Sequence, residues 1–308
     1  MKRQLVRLNP GLKTLHLEGF ERGDLEVEDF ANLGNLESLT FRYCNNNDMP
    51  LIEILRPMAK TLRVLDLSRI KNFVVYNPID NGNSGVRVTL PELEEIKLDR
   101  HVFGDKYPIP TRLVQNLVVL CPGLRNLDLL LDERDNNVDF SSLAACLRAS
   151  CPLLQDLGIH LHNRRKGSTA LATLIRESSA TGLAKLSIKR GTWDDKVMAA
   201  ILFHSETLKE MWLSWDKTFG RSDAVFVLEL LVQCRQLKKF KVTNVPWSCH
   251  RILSEWQSKD WGCKGLEEFE LDFCSRIFGE DEVDYADSDD EIEMISDTKA
   301  LFTMSVAP

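Results

Sequence analysis

Several things are missing from this chain of 308 residues, and each absence removes a class of chemistry. Its eight cysteines include no C-x-x-C pair, so the clustered ligands that hold zinc are not there. No secretory leader is legible in the opening MKRQLVRLNP, so a disulfide framework is not expected and the thiols are read as reduced. The apolar runs are broken by charge, as Glu229 breaks Val225 to Val232, and no stretch is read as a membrane span. Patterns of the G-x-G-x-x-G, G-x-x-x-x-G-K and G-x-S-x-G kinds do not occur, which removes the nucleotide and hydrolase signals. A basic excess is lacking too. The formal charge is −7, and it becomes +3 once the ten acids between Glu280 and Asp297 are set aside. The bulk of the chain is therefore near neutral, and nucleic acid is not an expected partner.

What is present is a repeat. Ten segments share a leucine-like residue, two variable residues, a second leucine-like residue, one variable and a third. They begin at Leu12, Leu36, Leu62, Leu93, Leu124, Leu154, Leu183, Leu208, Leu237 and Leu266. The starts lie 24, 26, 31, 31, 30, 29, 25, 29 and 29 residues apart. Leu62-Arg-Val-Leu65-Asp-Leu67 and Leu124-Arg-Asn-Leu127-Asp-Leu129 show the pattern most clearly. Period and core together are the signature of leucine-rich repeats.

The alternation in Leu-x-Leu is that of a strand whose leucines all face one way. One such strand cannot bury its apolar side, so stacked repeats must make the core. Leu113 to Leu120, Leu143 to Leu147, Val197 to Phe203 and Val225 to Val232 read as return helices, with Pro122-Gly123 and Gly182 punctuating the turns. The expected fold is an α/β leucine-rich-repeat solenoid. It would be a curved right-handed superhelix with parallel strands on the concave face and helices on the convex face. It should span residues 1–278, followed by an acidic, disordered tail over 279–308. Met1 to Pro10 reads as the end of a repeat's helix.

Six of the eight cysteines are placed by the repeat. Cys121, Cys151, Cys234 and Cys263 stand three residues before a repeat's first leucine, and Cys44 and Cys274 stand eight after one. They are expected in the core as small apolar side chains. Cys146 and Cys249 fall outside the pattern. Cys249 precedes His250 directly, and neighbours in sequence point apart, so a catalytic pair is not expected. His160-x-His162 would aim two imidazoles the same way, but no third ligand is evident, and both are expected at the surface.

The repeat core, its period and the Cys-Pro before the strand resemble the cysteine-containing leucine-rich repeats of F-box proteins and ribonuclease-inhibitor-like solenoids. The long fungal F-box type is the nearest in character. The resemblance runs from about Leu5 to Phe273. It implies substrate recognition for an SCF-type ubiquitin ligase, with a Skp–cullin assembly as partner wherever an F-box precedes the repeats. The F-box itself is not in this sequence, and a stand-alone repeat scaffold with no ubiquitin role is the other expectation. Repeats of this period followed by an acidic tail also resemble the GTPase-activating protein of Ran. That family carries Asn at the eighth position, where this chain has residues such as Phe20, Ile70 and Asp132.

Residues two, four and six after each first leucine should point away from the core. Repeats three to six then present mostly acid: Asp66, Glu95, Asp99, Asp128 and Asp156, with Lys97 as the exception. Trp212 stands out, flanked by Lys185, Lys189, Lys239 and Lys241. Aromatic anchors dominate hot spots and surrounding lysines steer an acidic segment. These five residues are therefore the expected site for a protein or peptide partner, with no catalytic, metal or cofactor site. The bland reading is a solvated strand face on which Trp212 packs against lysine stems. Ser288 precedes three acids in a form suited to an acid-directed kinase, and the loops between Arg69 and Leu90 and between His101 and Thr111 exceed what the repeat needs. Without targeting signals, cytoplasm or nucleus is expected.

Overall fold

A computed structural model describes residues 6–20, 24–42, 44, 50–68, 88–98, 111–131, 139–161, 168–189, 191, 193–214, 221–246, 261–274 and 300–304. Every leucine-pattern segment became a strand. The ten are β1 Thr14–Glu18, β2 Ser38–Arg42, β3 Val64–Asp66, β4 Glu95–Leu98, β5 Asn126–Leu131, β6 Asp156–Leu161, β7 Lys185–Lys189, β8 Glu210–Ser214, β9 Lys239–Pro246 and β10 Glu268–Cys274. They hydrogen-bond in chain order as one parallel sheet, in a register that sets equivalent repeat positions side by side. The pattern works because Leu-x-Leu buries alternate residues. Met211 and Leu213 of β8 are 2% and 0% exposed, whereas Trp212 between them is 38% exposed.

The return segments are a 3₁₀ turn Val27–Phe30 and helices α1 Leu51–Leu55, α2 Thr111–Val118, α3 Phe140–Ser150, α4 Ser168–Glu177, α5 Asp195–Leu202 and α6 Arg221–Gln233. The four runs expected to be helical lie in α2, α3, α5 and α6 within a few residues. Asp139 and Asp194 start α3 and α5 by accepting hydrogen bonds from backbone N–H groups of the first turn. Between sheet and helices runs one apolar core, from Val6 to Leu271. A parallel sheet covered by helices on one face and stacked one repeat at a time is an α/β leucine-rich-repeat solenoid. The first repeat is less well covered than the rest. Leu12 and Leu15 are only half-buried, while their counterparts Leu36 and Leu39 are fully buried.

Cys44, Cys121, Cys151, Cys234 and Cys263 are buried in this core. Burial pushes the Cys151 and Cys234 thiols up to about 12 and the Cys263 thiol up to about 11. Stacking places Cys151 Sγ where it donates to the carbonyls of Val118 and Cys121. Cys249, His250 and His162 lie outside the described residues, as do Asp99, Ser288, most of residues 69–90 and all of 101–110. His160 is 5% exposed, not a surface residue, because β6 is buried on both faces there.

A segment beyond the expected boundary at residue 278 also joins the sheet. Ala300–Met304 forms an eleventh strand, β11, antiparallel to β10, with Phe273 opposite Ala300 and Phe269 opposite Met304. The segment Ala-Leu-Phe-Thr-Met, short and uncharged with Phe302 and Thr303 at its centre, follows the acid run, and composition averaged over the whole tail hides it. Pairing gives the last parallel strand a partner for backbone groups that would otherwise form an open edge.

Candidate functional site

The open face of the sheet is built by the residues that the strands do not bury. Parallel register brings the five expected site residues onto three adjacent strands. Lys185 and Lys189 are on β7, Trp212 is on β8, and Lys239 and Lys241 are on β9. Trp212 lies level with Ser187 on one side and Lys241 on the other. Lys189 and Lys241 place their ammonium groups 5.0 and 5.4 Å from the centre of the indole. Two cations over the ring hold it upright, each by an attraction of about 0.5–1 kcal/mol at an exposed site. Beside the ring is a shallow cleft of about 210 Å³, walled by Lys185, Glu210, Lys239, Lys241 and Glu268 around Trp212.

The lysines were expected to attract an acidic segment, and their surroundings change that expectation. Lys185 meets Glu210 at 3.3 Å, Lys239 meets Glu268 at 3.5 Å and Lys241 meets Glu270 at 2.6 Å. Each acid stands one repeat after its lysine, in the same row of the face. The signal was in the sequence as an interval of 25 or 29 residues, equal to the local repeat length. Exposed pairs of this kind contribute roughly 0–1 kcal/mol each, but they offset the charge of three of the four lysines.

Toward β3–β6 the face is acidic. Asp66 is nearly buried, donates nothing, and accepts from the backbone N–H of Ser68 while facing Arg42 at 3.5 Å. Lys97 is drawn to Glu95 at 2.6 Å, which raises the lysine's pKa, and Asp66 and Asp128 raise it further. Asp156 is raised above its ordinary value, first by burial and then by the carboxylates of Glu210, Asp128 and Glu95, with Lys185 opposing. Between the two halves lies a smaller notch of about 40 Å³, formed by Asp128, Gly158, His160, Ser187 and Lys189. Gly158 was not singled out by sequence reasoning; a lone glycine on a strand's outward position was the available sign.

Among the described residues there is no group of three or more His, Cys, Asp or Glu able to hold a metal ion, and no helix is long and apolar enough to cross a membrane.

The sheet, its return helices and the repeat they share define a leucine-rich-repeat solenoid. No family model matches the chain, and no curated protein matches it. Among solved structures it is similar to an internalin (inlF) from Listeria monocytogenes str. 4b F2365. The two share 12% sequence identity with a TM-score of 0.39, over 86% of this chain and 81% of that one.

Proposed function

We propose that this solenoid is a recognition module that binds an extended segment of a partner protein along the open face of its sheet, with Trp212 as the anchor. The observation that supports this most directly is an indole 38% exposed at the middle of a rigid sheet, held between the amines of Lys189 and Lys241 beside a cleft. A large apolar ring so exposed gains roughly 1.5–3 kcal/mol when a partner covers it, and its orientation is already fixed before binding. Lys189 and Lys241 keep the ring in place, and Lys185 and Lys239 rim the contact. The resemblance to F-box-type repeats supplies a context: substrate recognition for an SCF-type ubiquitin ligase, in the cytoplasm or nucleus. In that context the face holds the substrate, and a Skp–cullin assembly joins through an F-box.

Two measurements test the reading. Selection of a displayed random peptide library against the whole chain should yield binders that lose at least about tenfold in affinity with Trp212→Ala, the equivalent of 1.4 kcal/mol. Binders that keep full affinity for the Trp212→Ala chain would remove the anchor. Separately, the native protein purified from its own cells should bring a Skp adaptor and a cullin with it. A clean preparation without either would favour the stand-alone scaffold.

A further inference from the structure

Four residues stand level across the middle of the face: Asp128 on β5, Gly158 on β6, Ser187 on β7 and Trp212 on β8. At the usual strand spacing, the walls Asp128 and Trp212 are about 14 Å apart along the row. Between them the row has no side chain at Gly158 and only a hydroxymethyl at Ser187, so the floor is bare backbone. A glycine inside a strand is unfavourable by roughly 0.5–1 kcal/mol relative to alanine and marks places where another group comes close to the main chain. Here the group that comes close from within the molecule is known. A carboxylate oxygen of Asp128 occupies the space a Cβ on residue 158 would fill. Gly158 thus lets Asp128 lean over the floor and turn its charge into the notch.

Charge is distributed unevenly along the face. The outward positions of β7–β10 carry Lys185, Lys189, Lys239 and Lys241 against Glu210, Glu268, Glu270 and Asp272, which balance. Those of β3–β6 carry Asp66, Glu95, Asp128 and Asp156 against Lys97 alone. The notch lies where the two meet, with Lys189 at its border. Asp156 is raised above its ordinary value mainly by burial, with the carboxylates of Glu210, Asp128 and Glu95 adding to the rise against Lys185.

Resting on the reading that this face binds a protein segment, the geometry points to the chemistry of that segment: it is basic, and it sets an arginine or lysine side chain into the notch over Gly158. The cation meets the Asp128 carboxylate, and the residue on the β8 side of it covers Trp212. The excess acid of β3–β6 draws the rest of the segment along the sheet; Lys185, Lys239 and Lys241 are each paired with a glutamate, and Lys189, which lines the notch, turns its amine to the Trp212 ring.

The experiment uses the displayed random peptide library on the whole chain, keeping only binders that Trp212→Ala abolishes. The expected binders carry an arginine or lysine at a constant offset from an apolar residue. Replacing that basic residue by alanine should weaken binding about tenfold to the wild type and no more than about twofold to the Asp128→Asn chain, so that the two changes do not add. Gly158→Ala should weaken binding about tenfold while leaving the thermal transition in place, because only the movable tip of Asp128 is displaced. If Gly158→Ala also disturbs the fold, Asp128→Asn carries the test alone, since it changes charge without changing size. Trp212-dependent binders that are acidic or uncharged, and indifferent to Asp128→Asn, would overturn this inference and leave the binding face standing. Failure of every binder to depend on Trp212 would overturn both.

Discussion

His204 is 1% exposed, yet it is a polar residue in a core of leucines. Its place is explained by what its ring closes. Nδ1 accepts from the backbone N–H of Leu183 at 3.2 Å, and Nε2 donates to the carbonyl of Ile175 at 2.8 Å. One imidazole therefore ties the end of α4, the entry to β7 and its own repeat together, and it must be the neutral Nε2–H tautomer to do so. Burial lowers its pKa from the ordinary value, more strongly than the Ile175 carbonyl raises it. The unfolded chain then binds a proton at higher pH than the folded one. The stability linked to this residue is complete above about pH 6.5 and is lost as pH falls below it toward the depressed folded value. His204→Leu should destabilise the chain by about 1–3 kcal/mol at pH 7.5, because it leaves the buried N–H of Leu183 without its partner and takes from the Ile175 carbonyl one of its donors, the Ser178 hydroxyl remaining. It should also flatten the fall in stability between neutral and mildly acid pH, as read by urea unfolding at a series of pH values. An unchanged pH slope in the variant would mean that another group sets it. The repeat pattern could not show this residue's role, since position 204 falls four before a first leucine, where no other repeat has a histidine.

At the scale of elements, the strands were legible and the segments between them less so. Leu-x-x-L-x-L carries its own period, and all ten matches became strands because each could bury its leucines only by pairing with the next. Helices depend on local starts and stops. Val197 to Phe203 read as helical from its apolar spacing, and α5 runs Asp195–Leu202 because Asp194 sets its first residue. The Asp194 carboxylate accepts from the N–H of Lys196 at 3.1 Å and of Val197 at 3.0 Å, satisfying donors that a helix start leaves open. Asp194→Ala should destabilise the chain by about 1 kcal/mol, and Asp194→Asn by less, in thermal or urea unfolding. Equal stability of the alanine variant and the wild type would show that tertiary packing alone starts the helix. The candidate site was legible in the same measure. Outward positions followed from the strand period, so the five residues around Trp212 were gathered correctly onto neighbouring strands. The pairing of the lysines was missed because each partner lies a full repeat away, and the eye reads charge along the chain before it reads across the stack. Gly158 showed only as a lone glycine at an outward strand position, because its contribution is the absence of a side chain between two others.

For the molecule as a whole, a stack of parallel strands has two ends, and each presents backbone groups that invite another strand. At the C-terminal end the chain itself covers the edge of its last parallel strand. Having run parallel through ten repeats, it returns as β11 and pairs antiparallel with β10, with Leu271 opposite Phe302 and Asp272 opposite Leu301. Antiparallel pairing ends a parallel stack without calling for another repeat, since a strand running the wrong way does not continue the solenoid's winding. In a repeat protein each layer is stabilised mainly by its neighbours, so a terminal layer depends on its cap more than an interior one does. The terminal layer here holds aromatic packing that depends on β10 staying in place. Phe269 packs against Phe240 at 5.8 Å and against Trp261 at 5.5 Å, and opening β10 would loosen both contacts. A chain ending at Lys299 should therefore keep the interior repeats and lose order at the last one. Amide exchange should quicken in β9 and β10 while β5 to β7 remain protected, and sedimentation should show concentration-dependent self-association through the uncovered edge. The acidic run from Glu280 to Asp297 stays in such a chain, so a change in solubility cannot be assigned to lost charge. Protection in β10 equal to that of the full chain, with no self-association, would mean that the tenth repeat is stable without β11 and that the returning strand serves no structural end.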